Sequence, residues 1–375
     1  MLVVMFHCLA VKESVLGSLY DPHVIPTQGP FFEGWYLRIL DLERQDSLGL
    51  LFGNVLPANS SNDPLVVMSL LQRKCDSDRN NCVLKSLDGK YNSNELKINV
   101  NGHPVSADPD LRSPANFRWE VNGAHGGGFF QQKGNKTTFS LKLADVLFRG
   151  EIIHANPWNA DGTGPEGWLV RLPLPLHWFV YSLASPLVFY EYQNTTSGHV
   201  IRSERGLVHM EKNWGRSFPR KWIWSEGIDP ATNTTFAMSG GEVNFRVLSV
   251  DAYLIGIRNP ATDMSLDFRP DNSKVSATID GCSGSVNITA TTFLHKVSIH
   301  LSAASSTFSN CLLGPEETGF RPACVESYDA VLTVNVYRRT VWFPVFQSIG
   351  EHVIRNAALE FGGLHVCKQI CDRHG

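Results

Sequence analysis

The sequence has no run of Lys and Arg, and its formal net charge is −3, which argues against nucleic acid as a main partner. No uninterrupted apolar stretch reaches the roughly eighteen residues of a membrane helix, so no transmembrane segment is expected. Low-complexity tracts are missing as well. Among eight cysteines no Cys-x-x-Cys pair occurs, which removes a zinc ribbon. The 13 histidines are scattered, with no His-Glu-x-x-His and no two-His-one-carboxylate spacing, so no catalytic metal is expected. A Gly-x-Ser-x-Gly elbow is absent, and so is a dinucleotide fingerprint. Residues 123–128 read Gly-Ala-His-Gly-Gly-Gly. They lack the Gly-Lys-Ser/Thr ending of a phosphate loop and open no helix, so they read as a hairpin loop. Helical periodicity is scarce, and its best candidate, Val345 to Ala357, is short.

What is present is strand signal. At 375 residues, with 43% apolar and 18% charged residues, the chain is globular and long enough for two domains. Short alternating or aromatic-rich runs recur from Phe32–Asp41 through Leu48–Leu56 to Tyr328–Arg338, separated by Asn, Asp, Gly and Pro. Evenly spaced short strands predict an all-β sandwich or barrel. From Gly150 to Pro175 a chain rich in Pro, Gly, Asn and Trp reads as a long irregular connection, functional or domain-joining.

Three close cysteine pairs predict local staples: Cys75 with Cys82, Cys311 with Cys324, and Cys367 with Cys371, leaving Cys8 and Cys282. Sequons begin at Asn59, Asn135, Asn194, Asn233 and Asn287. Disulfides and N-glycans together point to a secreted or luminal protein. The apolar start, Met1 to Val11, fits both a secretory h-region and a buried first strand. An Arg/Ser-rich plastid transit sequence is absent.

The densest chemistry lies in residues 209–227, where Glu211, Lys212, Arg216, Arg220, Lys221 and Glu226 crowd among Trp214, Phe218, Trp222 and Trp224. In an extended chain Arg220, Trp222, Trp224 and Glu226 share one face. The same alternation groups Phe31, Glu33 and Trp35, and groups His209, Glu211 and Asn213. A carboxyl group enclosed by indoles resists ionisation and can act as a general acid near neutral pH. The rings' π faces stabilise a developing cation. The structural alternative pairs Glu33 and Glu211 with Arg220, Lys221 or Lys212.

Phe31-Phe-Glu-Gly-Trp-Tyr-Leu-Arg38 resembles the opening motif of the tocopherol cyclase family, and Glu211-Lys-Asn-Trp-Gly-Arg-Ser-Phe-Pro-Arg-Lys-Trp-Ile-Trp224 resembles its Glu-Lys-Asn-Trp-Gly-Gly-x-Phe-Pro-Arg-Lys-Trp-Phe-Trp block. His177-Trp178 and Ala357-Ala-Leu-Glu-Phe-Gly-Gly363 are similar to two shorter family motifs in the same order. The resemblance implies two lipocalin-like β-domains, at 15–215 and 216–375, as in the wider hydroxyneurosporene-synthase and Diels–Alderase-like group. It also implies a cofactor-free reaction: the alkene of a prenylated (phytyl) benzoquinol is protonated and the phenol oxygen closes onto the cation, giving a chromanol. On this resemblance Glu33 or Glu211 is the acid, and His177 or Asn213 holds the phenol. Trp35, Tyr36, Trp178, Trp214, Trp222 and Trp224 line the cavity, while Arg220 and Lys221 order the carboxylates at its wall. The implied partner is a hydrophobic prenylated small molecule, in keeping with peripheral association with lipid surfaces. Arg216 departs from the family, which tends to have Gly there. The alternatives are a secreted lipocalin-like carrier that binds such a lipid without turnover, and a pericyclase.

Overall fold

The structure, a computed structural model, describes Pro22 and residues 29–371 apart from 77, 79–80, 101–102, 105–115, 125, 160–163, 246–247 and 341–344. Met1 to Val11, Cys8 and His125 lie outside the described residues. The described chain is almost entirely strand, arranged in two antiparallel sheets.

The first sheet opens with β1 (Phe31–Asp41), β2 (Asp46–Leu56), β3 (Val66–Cys75) and β4 (Cys82–Tyr91). It continues with β5 (Leu96–Val100), β6 (His103–Pro104), β7 (Asn116–Gly123), β8 (Gly126–Lys133), β9 (Lys136–Leu143) and β10 (Val146–Ile153). It ends with β11 (Leu176–Asn194), β12 (Val200–Ser203) and β13 (Gly206–Gly215). Its order is β4-β3-β2-β1-β13-β11-β10-β9-β8-β7-β5-β6, with β12 beside β11. β7 pairs with β5 rather than with β6, and β13 returns between β1 and β11, which brings the two richest motifs side by side. The far end curls back on β4. A Cβ on Gly123 would stand 2.7 Å from the Tyr91 ring, an approach only glycine permits.

The second sheet contains β14 (Lys221–Asp229), β15 (Thr234–Phe245), β16 (Leu248–Asn259), β17 (Met264–Phe268) and β18 (Lys274–Asp280). It is completed by β19 (Ser285–Thr291), β20 (His295–Ser302), β21 (Leu312–Glu316), β22 (Gly319–Arg339) and β23 (Phe346–Gly363). The order is β17-β16-β15-β14-β23-β22-β20-β19-β18, with β21 on β22. A short helix, α1 (Lys368–Cys371), follows. Among the described residues no helix is long and apolar enough to cross a membrane.

Val345 to Ala357 is not the helix expected from its spacing; Phe346–Gly363 is the strand β23. Its partner β22 carries register shifts near Ser327, Ala330 and Val336, and such bulges rotate a strand's phase until its buried positions imitate a helical period.

Alternation gives each sheet its own core. Trp35, Leu37, Leu50, Phe52, Trp119, Phe130 and Phe148 fill the first, and Ile223, Phe236, Ile255, Val325, Leu332, Leu359 and Phe361 fill the second. A third cluster joins the two sheets, with Leu71, Leu84, Trp178 and Val180 from one and Trp222, Trp224, Leu312 and Tyr328 from the other. Across this junction Arg38 meets Glu226 at 2.5 Å with both side chains buried, and Arg73 pairs with Asp329.

Cys75–Cys82 forms as expected, but the other two disulfides are Cys282–Cys367 and Cys311–Cys371, and Cys324 is a buried free thiol. Cys324 stands opposite Leu312 in the β21–β22 ladder. Cys311, one residue earlier, points to the other face, so a 311–324 bridge is closed off. Cys367 and Cys371 instead tie α1 to the second core.

Candidate active site

The register of three neighbouring strands builds the site. Gly34, Asn213 and Trp178 lie in one row across β1, β13 and β11, and Tyr36, Glu211 and Val180 lie in the next. These side chains share the face turned towards the second sheet. The intervening residues, Glu33, Trp35, Lys212, Trp214 and His177, point the opposite way, into the first core.

On that inner face Glu33 Oε1 is 2.7 Å from Lys212 Nζ, both side chains being 0% exposed. The ammonium lies 5.2 Å from the ring centres of Trp35 and Trp214. His177 stacks on Trp214 at 4.9 Å and hydrogen-bonds Glu166 through Nδ1 at 2.8 Å. A cation held by a carboxylate and two π faces is a compact, internally matched cluster.

On the outer face a cavity of about 430 Å³ separates the sheets. Phe32, Tyr36, Trp178, Glu211 and Asn213 line it from the first sheet, and Trp222, Trp224, Leu254, Cys324, Glu326 and Glu360 from the second. Leu169, Leu172 and Leu174 cover it from the long connection before β11. Glu211 is held from both sides: Trp224 Nε1 donates to Oε2 at 2.9 Å, His209 Nε2 is 3.1 Å from the same oxygen, and Asn213 Nδ2 donates to Oε1 at 3.4 Å. Burial alone would push the His209 imidazole down. Its hydrogen bond to Glu211 and the charges of Glu226 and Glu211 outweigh that and hold it above the ordinary value.

Opposite, Glu326 and Glu360 are register partners on β22 and β23, two carboxyl groups on one wall. Tyr36 donates to Glu326 Oε1 at 2.8 Å, and its oxygen is 2.8 Å from the Tyr328 hydroxyl. Trp222 Nε1 donates to Glu360 Oε1, and the Cys324 thiol also hydrogen-bonds Glu360. Burial, followed by the charge of Glu360, drives Glu326 well above the usual carboxylate range. Burial also pushes Glu360 up to about 7, and the nearby Glu211 charge adds to the shift. Two like carboxyls in a dry site do not both ionise easily, so a proton is retained between them near neutral pH. Trp222 reaches Glu360 because Gly362 leaves room: a Cβ there would stand 1.8 Å from Trp222 Cε2.

The structure thus brings Tyr36, Trp178, Glu211, Asn213, Trp222 and Trp224 together around one cavity. Glu33 and Trp35 border it as part of β1, but their side chains belong to the inner cluster with His177 and Trp214. Arg220 is a correction: it precedes β14, is exposed, and supports the wall only through its carbonyl, which accepts from Leu364 N at 3.0 Å. Lys221 likewise pairs outward with Asp251 and Glu242 rather than ordering cavity carboxylates. The cations at the glutamates are instead Lys212 on Glu33 and Arg38 on Glu226.

Sequence reasoning missed Glu326 and Glu360. Glu360 stands inside the Ala357–Gly363 motif, and with Leu359 and Phe361 in the second core, alternation alone turns it outward. Glu326, between Val325 and Ser327, carries no comparable signal.

Comparison with known proteins gives the family and the fold. Residues 29–363 match the family described as tocopherol cyclase-like. A chloroplastic tocopherol cyclase of Zea mays is 28% identical over 206 residues, 52% of this chain and 41% of the maize protein. The chain therefore spans well under two thirds of that relative. The crystal structure of CghA with Sch210972 superposes with a TM-score of 0.57 at 9% identity, covering 92% of this chain and 95% of that one. Kievitone hydratase from Nectria haematococca gives 0.50 at 12% identity, with 93% of each chain covered. At such identities the two structures show a shared fold, and it is the match over residues 29–363 that identifies the chain as a member of the tocopherol cyclase-like family.

Proposed function

We propose that the protein is a cofactor-free cyclase acting on a prenylated phenol, of which a phytyl benzoquinol is the model substrate. The observation that carries this reading is the Glu326–Glu360 pair, which keeps a proton in a cavity walled by indoles. The pair donates that proton to the less substituted carbon of the prenyl alkene. The faces of Trp222 and Trp224 stabilise the tertiary cation. The phenol oxygen, held at Asn213 and Glu211, attacks it and the phenolic proton passes to Glu211; the alkene π bond and the phenol O–H bond break as one C–H and one C–O bond form, with no net redox change, and exchange with solvent returns a proton from Glu211 to the Glu326–Glu360 pair. This assignment moves the acid from Glu33 or Glu211 to the opposite wall. Glu33, with Lys212 against it, serves the fold, and His177 fixes Trp214 and Glu166 rather than touching the phenol.

A carrier without turnover would use the same apolar walls but has no use for a proton held on cavity-wall carboxyls. The chain is proposed to form two β-domains, 15–215 and 216–375, each supplying half of the site. A secreted or luminal setting belongs to the same proposal. Four of the five sequon asparagines, Asn59, Asn135, Asn233 and Asn287, are exposed and open to glycosylation.

The test is anaerobic incubation with phytyl benzoquinol in deuterated buffer, followed by chiral chromatography and mass spectrometry. A single chromanol enantiomer carrying one solvent deuterium is the expected product. Quinol recovered unchanged, though bound tightly enough to quench tryptophan fluorescence, would replace the cyclase with the carrier.

A further inference from the structure

Among the described residues four glycines line the cavity: Gly34, Gly53, Gly240 and Gly241. For three of them the fold itself explains why no side chain is present. A Cβ on Gly53 would stand 3.0 Å from Phe320 Cζ, one on Gly240 2.1 Å from Tyr253 Cδ1, and one on Gly241 2.3 Å from the Lys221 carbonyl oxygen. Gly34 differs. It sits in a regular stretch of β1, in register with Gly53 on one side and Asn213 on the other, and its backbone is not left-handed. A Cβ there would meet nothing closer than the Phe52 carbonyl oxygen at 3.4 Å, an ordinary contact. Neither backbone conformation nor packing calls for glycine at this position, and a glycine inside a strand weakens it.

The surface that Gly34 keeps opens onto the cavity. Its chain neighbours Glu33 and Trp35 are both 0% exposed and point into the first core, whereas Gly34 itself is only half-buried. Phe32 and Tyr36, two residues away along the strand, stand on the same face, and Asn213 stands beside it across the ladder. The result is a recess whose floor is bare backbone, next to the Asn213 and Glu211 groups assigned above to the phenol oxygen. A flat ring lies closer to such a floor than any Cβ would allow. We infer that Gly34 is a specificity-determining residue: the space left by its missing side chain is the seat of the ligand's ring, and side-chain size at position 34 sets the bulk of ring substituent that the cavity admits. This rests on the proposed function for the kind of ligand, not for turnover.

The experiment compares wild type, Gly34→Ala and Gly34→Val in two measurements. The first is the urea midpoint without ligand. It should stay in place or rise in both variants, because the strand gains a better strand former and the added atoms enter empty space. A midpoint that falls means that the space belongs to the packing of the fold, which overturns the inference. The second is anaerobic binding, read by tryptophan fluorescence quenching, of phytyl hydroquinone without ring methyls and of its trimethyl homologue. Gly34→Ala should weaken the trimethyl compound about fivefold to a hundredfold, the scale of overpacking a filled site, and the unmethylated one less. Gly34→Val should widen that difference. Equal losses for the two probes would place the tail rather than the ring at Gly34, and no loss would leave the position without a ligand role; either result sinks the idea. A check that needs no substitution is wild type labelled with ¹³C-glycine, where ring-methyl protons of the bound trimethyl compound should show nuclear Overhauser contacts to the Gly34 α-protons. Their absence counts against the inference as strongly. Failure of the cyclase reading shows separately, as the same pattern of binding with no chromanol formed, whereas a wild type that binds neither probe removes both.

Discussion

Two carboxyl clusters sit on opposite sides of one strand, β1, and they have opposite chemistry. On the inner side Glu33 faces the Lys212 ammonium at 2.7 Å, between two indoles. On the outer side Tyr36 reaches Glu326, whose neighbour is another carboxyl, Glu360, and both acids are raised. Burial pushes a carboxyl towards its acid form in both places, and the partner decides whether that push is opposed: an opposite charge stabilises the carboxylate, whereas neighbouring carboxylates leave the shift by burial standing and add to it. A rule that seeks a glutamate among tryptophans therefore finds the ion pair as readily as the acid.

The sharpest test of this contrast is Glu360→Gln. Losing the donor should lower chromanol formation about 10²–10⁴-fold, while near-UV circular dichroism and quinol binding stay as they are. Full turnover in both Glu360→Gln and Glu326→Gln would return the acid role to Glu33 or Glu211.

The inner cluster should respond in stability. Glu33→Gln leaves a buried ammonium without its carboxylate and should cost about 3–5 kcal/mol in urea unfolding. The double change Glu33→Gln with Lys212→Met should recover most of that loss. A single variant as stable as the wild type would show that Glu33 does not balance Lys212.

pH distinguishes the clusters next. Glu360 is raised to about 7, so between about pH 4.5 and 7 the unfolded chain releases this proton before the native one does. Stability is thus fully present below the unfolded value and falls as pH rises through the folded one, by about 3 kcal/mol for this group. Turnover should fall over the same upper range as the acid ionises. Glu360→Gln should flatten the stability slope; parallel wild-type and variant curves would mean that Glu360 titrates normally.

The smallest effect is expected at Tyr36→Phe. Its hydrogen bond lowers Glu326 against the larger effect of burial, so its loss should raise that acid further. The alkaline limb of the pH–rate profile should move up while stability drops by about 1 kcal/mol. An alkaline limb that moves down would reverse the assigned role of Tyr36.

Much of this was legible in the order of residues. The strands, the grouping of His209 with Glu211 and Asn213, and the grouping of Trp222 with Trp224 follow from alternation. The wall made by Tyr36, Trp178, Glu211, Asn213, Trp222 and Trp224 was expected from the motifs that hold them. Arg220 was not placed correctly, because a pattern of alternation does not say where a strand begins, and β14 starts one residue later. The cysteine staples failed for a similar reason: nearness in sequence does not say which face a thiol leaves from, and Cys311 and Cys324 leave from opposite ones.

Local sequence determined which side chains travel together on a strand, because the two-residue period of an extended chain is a property of the backbone. It did not determine which side of the first sheet would be covered by the second, nor that β22 and β23 would bring Glu326 beside Glu360. Those outcomes depend on the register of strands far apart in the chain and on the burial created when two cores close against each other. Protonation at this site belongs to that level, since a carboxyl's charge is set by what surrounds it in space.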